Sequence, residues 1–405
     1  MSPLRIGILG PTSLPKFSGA EVFHHNLATR LAERGHLVTF IAPRGQVRLL
    51  RDQAWDLPYG LESYPGNRWS WLKRHSEFGF FSNRCALSAL QKKHRFDVWH
   101  AFVLYPAGVV LADWQSRSRV PGLVRAVGDD VSGLPEHSHE PHVEKALRSK
   151  LPLARALVAL SPEMADDISA LGVAREKIRV ITNAVDGSRF PPCAAARSSV
   201  RAGLGLSEDD FVFLCVARNH PQKDLPTLLE AFRLLRSSAG GRKVRLVIAG
   251  RGACKMAPQT GDLAGRVHLL EIGAEPSARQ VPAMPPQQLV DLYRAADAFV
   301  LSSLLEGFSS ALVEAMAAGL PIVATDVAGI RGVVAHDREA LLVPAGSARN
   351  ISDAMRELVD NASLRARFSS AARATAARYD WNTVVTAYES LYGELAGLPK
   401  THEKK

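Results

Sequence analysis

Short apolar runs alternate with segments of helical periodicity along most of the 405-residue chain. The runs have the length of strands and lack strict alternation of apolar and polar positions, which is typical of strands buried on both faces of a sheet. They start at Leu4, His36, Asp97, Gly122, Ala156 and Ile178 in the first half, and at Phe211, Lys243, Arg266, Asp297, Leu320 and Ala340 in the second. Because helical segments separate them, we predict an α/β protein with two parallel sheets and right-handed crossovers.

A stretch rich in proline, glycine and serine, without a strand pattern, separates the two halves. It predicts two Rossmann-like domains joined by a linker, and a helical pattern near the end predicts a helix that crosses back to the first domain. The predicted boundaries are residues 1–188 for the first domain, 189–209 for the linker, 210–378 for the second domain, 379–397 for the C-terminal helix and 398–405 for a charged tail. Ligands of doubly wound sheets bind outside the carboxyl ends of the strands, so we expect a cleft between the two domains.

The net charge of +10 is concentrated in part in residues 68–95, where seven lysines and arginines face a single acid, Glu77. Tryptophans and phenylalanines are interleaved with these cations, and a basic aromatic segment suits an anionic membrane surface. The alternative is a solvated helix pair that covers the edge of the sheet. Nucleic acid is not an expected partner, because the chain carries no known nucleic-acid-binding motif.

The four cysteines are far apart and show no CxxC spacing, which indicates reduced thiols and argues against a disulfide framework or a zinc site. The stretch after Met1 does not have the pattern of a signal peptide. The longest apolar stretch, Val98 to Ala112, is too short to span a membrane and contains His100 and Pro106. We therefore expect a cytoplasmic protein, with peripheral binding to the inner face of the plasma membrane as an extension of that expectation.

The segment LLEGFSSALVEAMAAG, Leu304 to Gly319, places Glu306 just beyond a predicted strand and Glu314 about one turn inside the following helix. Gly307 permits an unusual backbone conformation, and Ser309 or Ser310 can cap the helix. The free amides and the positive dipole end of that helix lie between the two acids and favour an anion such as phosphate. The alternative is an ordinary amphipathic helix with two solvated acids.

Two cations, Arg218 and Lys223, follow the strand that starts at Phe211 and can neutralise a diphosphate. Taken alone, each is more typical of a surface charge. In the first half, Gly19 lies where the loop after the first strand meets its helix, and a glycine there lets backbone amides approach a phosphate closely.

These residues and their order resemble the retaining nucleotide-sugar glycosyltransferases of family 4, which have the GT-B fold. The shared pieces are SGAE, RGHLVTFIA, DVWHAF, ALVALSPEM, VITNAVDGSRF, ARNHPQKD and the two glutamates followed by EAMAAGLPIVATDVAG. The resemblance implies two Rossmann-like domains that face each other across a cleft, the first on the acceptor side. It implies that Glu314 binds the nucleotide ribose, that Glu306 binds the transferred sugar, and that Arg218 and Lys223 hold the diphosphate. Donor binding would also use Gly19, Gly307, Phe308, Ser309 and Ser310.

The implied reaction transfers a hexosyl group, with retention at the anomeric carbon, from a UDP- or GDP-sugar to a glycan or glycolipid acceptor. Such a reaction would serve the synthesis of a cell-surface polysaccharide or lipopolysaccharide. The chain contains no DxD motif, which agrees with the metal-independent and cofactor-free chemistry of the family.

The chain departs from the family pattern after the fourth strand of the first domain. Many relatives have a His-Gly-x-Asp arrangement there, whereas this chain has Val127 at the histidine position, followed by Gly128 and Asp130. Asp129 or Asp130 would then line the sugar site, and His100 matches a cleft-lining histidine, with a structural role as the alternative. Arg331 replaces an acid that relatives often carry, and the sequence gives no physical account of that change.

Two other functions remain open on the sequence alone. A nucleotide-sugar epimerase shares the two-sheet architecture, and a non-catalytic nucleotide-sugar-binding protein would tolerate Val127 at the histidine position. A dehydrogenase is disfavoured, because the GRGACK loop from Gly250 lacks the third glycine of a dinucleotide-binding motif and opens no clear helix.

Overall fold

The computed structural model describes residues 2–11, 19–53, 55–64, 77–127, 141–235, 243–272 and 285–398, with the side chains of residues 77–79 left out. The described part of the chain forms two compact units. Unit 1 contains the described residues up to Asn183 and those from Asn382 onward, and unit 2 contains the described residues from Ala184 to Trp381.

Unit 1 is built on a seven-stranded, fully parallel sheet with the order β3-β2-β1-β4-β5-β6-β7. Its strands are β1 (Arg5–Leu9), β2 (Leu37–Pro43), β3 (Gly60–Tyr64), β4 (Val98–Phe102), β5 (Gly122–Arg125), β6 (Ala156–Ala159) and β7 (Ile178–Val180). Its helices are α1 (Gly19–Glu33), α2 (Arg44–Asp52), α3 (Glu77–His94), α4 (Val109–Gln115), α5 (Pro141–Lys150) and α6 (Pro162–Ala170). The strand order changes direction between β1 and β4, which pair in register with Ile8 opposite His100.

Unit 2 is built on a six-stranded parallel sheet with the order β10-β9-β8-β11-β12-β13. Its strands are β8 (Phe211–Val216), β9 (Val244–Ala249), β10 (Val267–Leu270), β11 (Ala298–Leu301), β12 (Ile322–Thr325) and β13 (Ala340–Val343). Its helices are α7 (Ala194–Gly203), α8 (Leu225–Leu234), α9 (Gln287–Ala295), α10 (Ser310–Ala318), α11 (Ala328–Arg331), α12 (Ala348–Asp360) and α13 (Ala362–Ala376). The strand order changes direction between β8 and β11.

Helices cover both faces of the unit 2 sheet, so most positions of its strands are apolar. Alternate residues of β8 join opposite cores, with Phe213 packed in one and Leu214 in the other. Burying an aliphatic or aromatic side chain of this size contributes about 1.5–3 kcal/mol. The continuous apolar runs seen in the sequence are therefore the strands of a sheet covered on two sides, as predicted.

The last helix, α14 (Trp381–Leu395), begins at the end of unit 2 and then packs into unit 1. Tyr388 and Tyr392 on this helix are fully buried. The Tyr388 hydroxyl accepts a hydrogen bond from Nε of Arg125 at 2.8 Å, and the Tyr392 hydroxyl bonds Nδ1 of His100 at 2.7 Å. The helix thus supplies hydroxyl groups that bond buried polar side chains of β4 and β5.

The structure adds elements that the sequence pattern did not predict. Strand β3 and helix α2 lie between the second and third predicted strands. Helix α7 lies within the predicted linker and is held by Arg201, which is 1% exposed and donates to the backbone oxygens of Ala295, Ser207 and Asp210. Among the described helices, none is both long enough and apolar enough to cross a bilayer.

Candidate functional site

The candidate site lies at the point where the unit 2 sheet changes direction. Arg218 and Lys223 follow β8, and Glu306 follows β11, which is the neighbour of β8 in the sheet. Loops that leave adjacent strands in opposite directions at such a point open a crevice at the carboxyl edge, which is where doubly wound sheets bind ligands. The topology therefore brings the three predicted site residues Arg218, Lys223 and Glu306 to the same edge of one sheet.

Glu306 and Lys223 form an ion pair at this edge. The Lys223 Nζ atom lies 2.5 Å from Oε1 of Glu306, and the Ser303 hydroxyl donates to the same oxygen at 2.7 Å. Glu306 is only 8% exposed. A buried carboxylate needs charged and hydrogen-bonding partners to offset its lost hydration, and this pair of contacts supplies them.

The two loops are also joined through their backbones. The Ser302 hydroxyl donates to the Lys223 carbonyl at 2.8 Å, and the Leu304 amide donates to the Gln222 carbonyl at 2.8 Å. Since these bonds hold the backbone on either side of the ion pair, Lys223 and Glu306 are presented by a rigid support.

The loop after β12, which includes the single helical turn α11, packs directly under Glu306. A Cβ atom at Gly329 would lie 2.1 Å from the Glu306 carbonyl oxygen, so only glycine allows this approach. Arg331 donates to the carbonyl and to the Oδ1 atom of Asp326, at 3.0 and 2.9 Å. Arg331 thus closes the short loop that carries Gly329, which gives a local structural account of a residue that the sequence left unexplained.

The helix α10 has the termini that its sequence predicts. The Ser309 hydroxyl accepts from the Leu312 amide at 3.3 Å and caps the helix, and Gly319 ends it with φ of 74°. The turn before the helix contains Gly307 and Phe308, whose ring packs edge-on against Tyr379 with 5.9 Å between ring centroids. The first amides of α10 therefore lie near Glu306, in the segment that connects it to the helix.

Glu314 lies on α10, where its Oε2 atom accepts a hydrogen bond from the Tyr293 hydroxyl at 2.9 Å. Burial raises the pKa of Glu314 to about 7, because the carboxylate loses hydration. The Tyr293 bond and the positive charge of Arg189 oppose that shift. Glu314 therefore changes its charge close to neutral pH, unlike an ordinary surface glutamate.

Arg218 is exposed at the end of β8, on a loop that the β9 loop holds in place. The Asn219 amide donates to the Arg251 carbonyl at 2.9 Å. Gly250, with φ of 149°, lets the Ala217 carbonyl approach to within 2.2 Å of the position that a Cβ atom would take. The GRGACK loop thus serves as a close backbone support for the Arg218 loop.

The site residues predicted in unit 1 have different surroundings. Gly19 is the first residue of α1, and among the described residues no atom lies within 4 Å of the position that its Cβ would take. His100 lies inside β4, is fully buried and bonds Tyr392, which favours the structural alternative over a role in lining a sugar site. Asp129 and Asp130 lie outside the described residues.

His100 belongs to a buried polar cluster with His24 and Arg125. The imidazole rings of His24 and His100 are 5.3 Å apart, and the pKa of each is held well below its usual range by burial and by the charge of Arg125. Both histidines are therefore neutral in the folded protein, and they stabilise the packing of unit 1.

Sequence reasoning missed three residues that position the site. Ser303, Tyr293 and Gly329 contact Glu306 or Glu314 directly. Ser303 carried a weak signal, because it is a polar residue directly after a buried strand. Tyr293 and Gly329 gave no local signal, since their contacts are formed only by the tertiary fold.

Two family models match the chain in succession. The model described as Glycosyltransferase Family 4 matches residues 17–189, and the model described as Glycosyl transferases group 1 matches residues 197–375. Among curated relatives, the chain is 27% identical over 416 residues to a D-inositol 3-phosphate glycosyltransferase of Thermobispora bispora, covering 95% of this chain and 91% of the relative. A protein of the same name from Xylanimonas cellulosilytica is 32% identical over 244 residues, or 59% of this chain and 57% of the relative.

The fold has solved counterparts. The structure of HepE from Anabaena in complex with UDP superimposes with a TM-score of 0.76 at 22% identity, covering 97% of this chain and 100% of that one. Two parallel α/β units of seven and six strands, with this solved counterpart, define a GT-B fold. The chain belongs to glycosyltransferase family 4, as its resemblance in sequence predicted.

Proposed function

We propose that the protein transfers a hexosyl group, with retention, from a nucleotide sugar to a glycan or glycolipid acceptor. The observation that carries this proposal is the buried Lys223–Glu306 ion pair at the switch point of unit 2, in the segment that leads into α10. A cation, a carboxylate and free helix amides at one sheet edge suit a sugar joined to a diphosphate.

Lys223 and Arg218 are assigned to the diphosphate. Negative charge develops on the leaving nucleoside diphosphate as its bond to the anomeric carbon breaks, and fixed donors aimed at that charge stabilise the transition state. The Lys223 ammonium has three donor positions, so it can keep its bond to Glu306 while it donates to a phosphate oxygen. The amides of Phe308, Ser309 and Ser310 add the positive end of α10.

Glu306 is assigned to the transferred sugar and Glu314 to the ribose of the nucleotide. Both side chains are acceptors when ionised, which suits the hydroxyl groups of a sugar and of a ribose. Their positions on either side of the first turn of α10 match a ligand whose phosphates lie at the helix N-terminus and whose two sugars extend in opposite directions. The absence of a DxD motif supports a metal-independent reaction.

UDP-sugars are the first donors to test, since HepE has been solved with UDP and with UDP-glucose. GDP-sugars follow from the family resemblance. A second candidate acceptor is a phosphorylated polyol, because relatives that align with this chain are named D-inositol 3-phosphate glycosyltransferases. A glycan or glycolipid acceptor of a cell-surface polysaccharide or lipopolysaccharide would place the reaction at the cytoplasmic face of the membrane.

The basic aromatic segment over residues 68–95 supports that location; its residues 68–76, with Lys73 and Arg74, lie outside the described residues, and most of the rest forms α3. Phe81 is 56% exposed, and Lys92 and Lys93 on α3 are exposed as well. Two cations of the segment are already paired within the fold: Arg84 with Asp113 at 2.7 Å, and Lys93, at the surface, with Glu62 at 2.5 Å. The proposed membrane contact therefore uses the exposed face of α3.

A donor screen tests the proposal. Purified protein is titrated by calorimetry with UDP, GDP and ADP, and the corresponding glucose, galactose and mannose donors are then incubated with glycolipid, glycan and inositol phosphate acceptors. We expect binding of one nucleotide and transfer to one acceptor class, with the anomeric configuration of the donor kept in the product by proton NMR. Absence of both binding and turnover across the series would contradict the proposal.

The same screen separates the alternatives. An epimerase would convert a nucleotide sugar without any acceptor, and a non-catalytic binding protein would bind a nucleotide sugar without consuming it. Transfer of the sugar that depends on an added acceptor excludes both.

A further inference from the structure

Tyr293 connects helix α9 to the Glu314 carboxylate. The side chain is fully buried, and its ring packs between Phe190 and Phe299, at centroid distances of 5.6 and 6.0 Å. Its hydroxyl is 2.9 Å from Oε2 of Glu314 and 3.2 Å from the carbonyl oxygen of Ala311, one turn earlier on the same helix. The ring is therefore fixed by apolar contacts, and its hydroxyl faces two acceptors on α10.

The geometry limits what Glu314 can do. Tyr293 has one proton to donate, and the shorter contact leads to the carboxylate. With Oε2 held by the phenol, the carboxylate cannot rotate freely about its terminal bond. The other carboxylate oxygen, Oε1, does not contact Tyr293 and stays available as an acceptor. The orientation of the Glu314 carboxylate is therefore set by Tyr293 and not by the ligand.

We propose that Tyr293 is a positioning residue for the donor: its hydroxyl holds Oε2 of Glu314 so that the carboxylate accepts hydrogen bonds from the vicinal hydroxyls of a nucleotide ribose. This inference rests on the proposed function, because it assigns the group that orients a residue of the donor site. Tyr293 itself does not contact the ligand, so its effect on binding passes through Glu314.

The charges around the pair agree with this role. The positive charge of Arg189 faces Glu314 from the turn before α7. The backbone oxygen of Arg189 accepts a hydrogen bond from the Arg294 guanidinium at 2.8 Å. Helix α9 therefore carries Tyr293 and also holds Arg189 in place. The buried Cys215 thiol also faces Tyr293. Burial raises the pKa of Glu314 to about 7, while the Tyr293 bond favours the ionised form.

Donor binding should therefore depend on pH near neutrality. A carboxylate accepts through both oxygens, whereas a protonated carboxyl group loses one of these acceptors, so affinity should rise with the ionised fraction of Glu314. That fraction is about one half at pH 7 in the wild type. Losing the Tyr293 hydrogen bond would raise the pKa by about one unit, which leaves about one tenth of Glu314 ionised at pH 7.

The test is a pH series of donor affinity for wild type and Tyr293→Phe. The probe is UDP-glucose, or GDP- or ADP-glucose if the donor screen selects that base, since the esterified phosphates of such donors do not titrate in the range used. We expect the variant to bind about fivefold more weakly at pH 7 and less than about twofold more weakly at pH 8.5. The affinities of wild type and variant should converge at high pH, because Glu314 is then ionised in both proteins. This convergence distinguishes an effect through Glu314 from a general loss of structure.

Two further variants complete the test. Glu314→Gln cannot ionise at this position, so its affinity should be low and flat between pH 5.5 and pH 8.5. Tyr392→Phe is the matched control, because it removes a buried hydroxyl in unit 1 and should leave the pH series unchanged.

The outcomes are distinguishable. A Tyr293→Phe series that runs parallel to wild type at all pH values, whether lower or superimposed, would overturn the inference and leave the proposed function intact. Failure of every nucleotide sugar to bind wild type would instead contradict the proposed function on which the inference rests.

Discussion

Lys223 and Glu306 come from loops that follow two neighbouring strands, and their charged atoms meet at 2.5 Å. The two residues are far apart in the chain, so the contact is produced by the strand order of unit 2, in which β8 and β11 pair. Hydrogen bonds from Ser302 and Leu304 join the same two loops, and Ser303 holds the Glu306 carboxylate from within its own loop. The ion pair is thus a feature of the fold's switch point and is not a surface contact.

The first prediction concerns Glu306→Gln. The amide keeps an acceptor for Ser303 but removes the charge that the transferred sugar would meet, so transfer should fall by about 10²–10³-fold. Affinity for the nucleoside diphosphate should stay close to that of wild type, because Lys223 remains available to it. Initial rates at saturating donor and calorimetry with the diphosphate measure the two quantities.

The control for this variant is Glu357→Gln, which removes an exposed carboxylate on α12 and should leave both quantities unchanged. Loss of diphosphate affinity in Glu306→Gln that equals the loss of transfer would contradict the assignment of Glu306 to the sugar.

The second prediction concerns Gly329→Ala. A Cβ there would lie 2.1 Å from the Glu306 carbonyl oxygen and 2.6 Å from its carbon, and neither backbone atom can move without displacing the site. We expect a loss of about 1–3 kcal/mol in the free energy of unfolding, as for other overpacked positions. Transfer should fall further than stability alone explains, since a small displacement of Glu306 disrupts its alignment with the sugar.

Thermal unfolding and initial rates below the transition check this expectation. Gly261→Ala is the matched control in the same unit, because no atom lies within 4 Å of the added methyl group. Equal activity of the two variants would mean that the loop after β12 does not position Glu306.

The sequence predicted the elements whose signals are local. Apolar runs marked the twelve predicted strands because most of these strands are largely buried, and Ser309 and Gly319 marked the ends of α10 because capping uses neighbouring residues. Strand β3 was missed because the polar residues Glu62 and Ser63 interrupt its short apolar run, and α2 buries only Val47 and Leu50. Their sequences therefore lack an apolar pattern to detect.

Helix α7 and the site's supporting contacts were missed for a different reason. Arg201 holds α7 in place while 1% exposed, and a buried arginine cannot be distinguished from a solvated one in the sequence. The Glu306 and Glu314 positions were predictable from a linear motif, but the partners Ser303, Tyr293 and Gly329 depend on distances across the sheet. The local sequence pattern therefore identifies the site residues, whereas the contacts that hold them depend on long-range packing.

The third prediction tests the membrane contact of residues 68–95. Replacing Lys73, Arg74, Lys92 and Lys93 with serine should weaken binding to vesicles that contain anionic lipid by about 1 kcal/mol for each cation that lies near the surface. Sedimentation with vesicles at low and at high salt measures the effect, which should vanish at high salt because exposed charges are screened.

A control with the same loss of charge uses exposed cations elsewhere, namely Arg175, Lys243, Arg349 and Arg367 replaced with serine. Equal vesicle binding of the two variants at low salt would assign the basic segment to a solvated surface of unit 1.

The fourth prediction concerns acid stability and follows from the neutral histidines of unit 1. His24 and His100 are fully buried, and burial together with the charge of Arg125 keeps the pKa of each well below 6.5 in the folded state. In the unfolded chain both would take up protons as the pH falls through about 6.5. Their contribution to stability is therefore fully present above that pH and is lost as the pH falls below it.

The dependence of the free energy of unfolding on pH gives this prediction a measurable magnitude. Well below pH 6.5, each histidine should lower the free energy of unfolding by about 1.4 kcal/mol per pH unit, so the pair should lower it by about 2.7 kcal/mol per unit. His24→Phe removes one titrating group and keeps an aromatic ring stacked on Phe102, where the centroids are 4.0 Å apart. Urea unfolding of both proteins between pH 5 and pH 8 should show a shallower acid slope for the variant by about 1.4 kcal/mol per unit. Identical slopes would mean that His24 is protonated in the folded protein, in conflict with its burial beside Arg125.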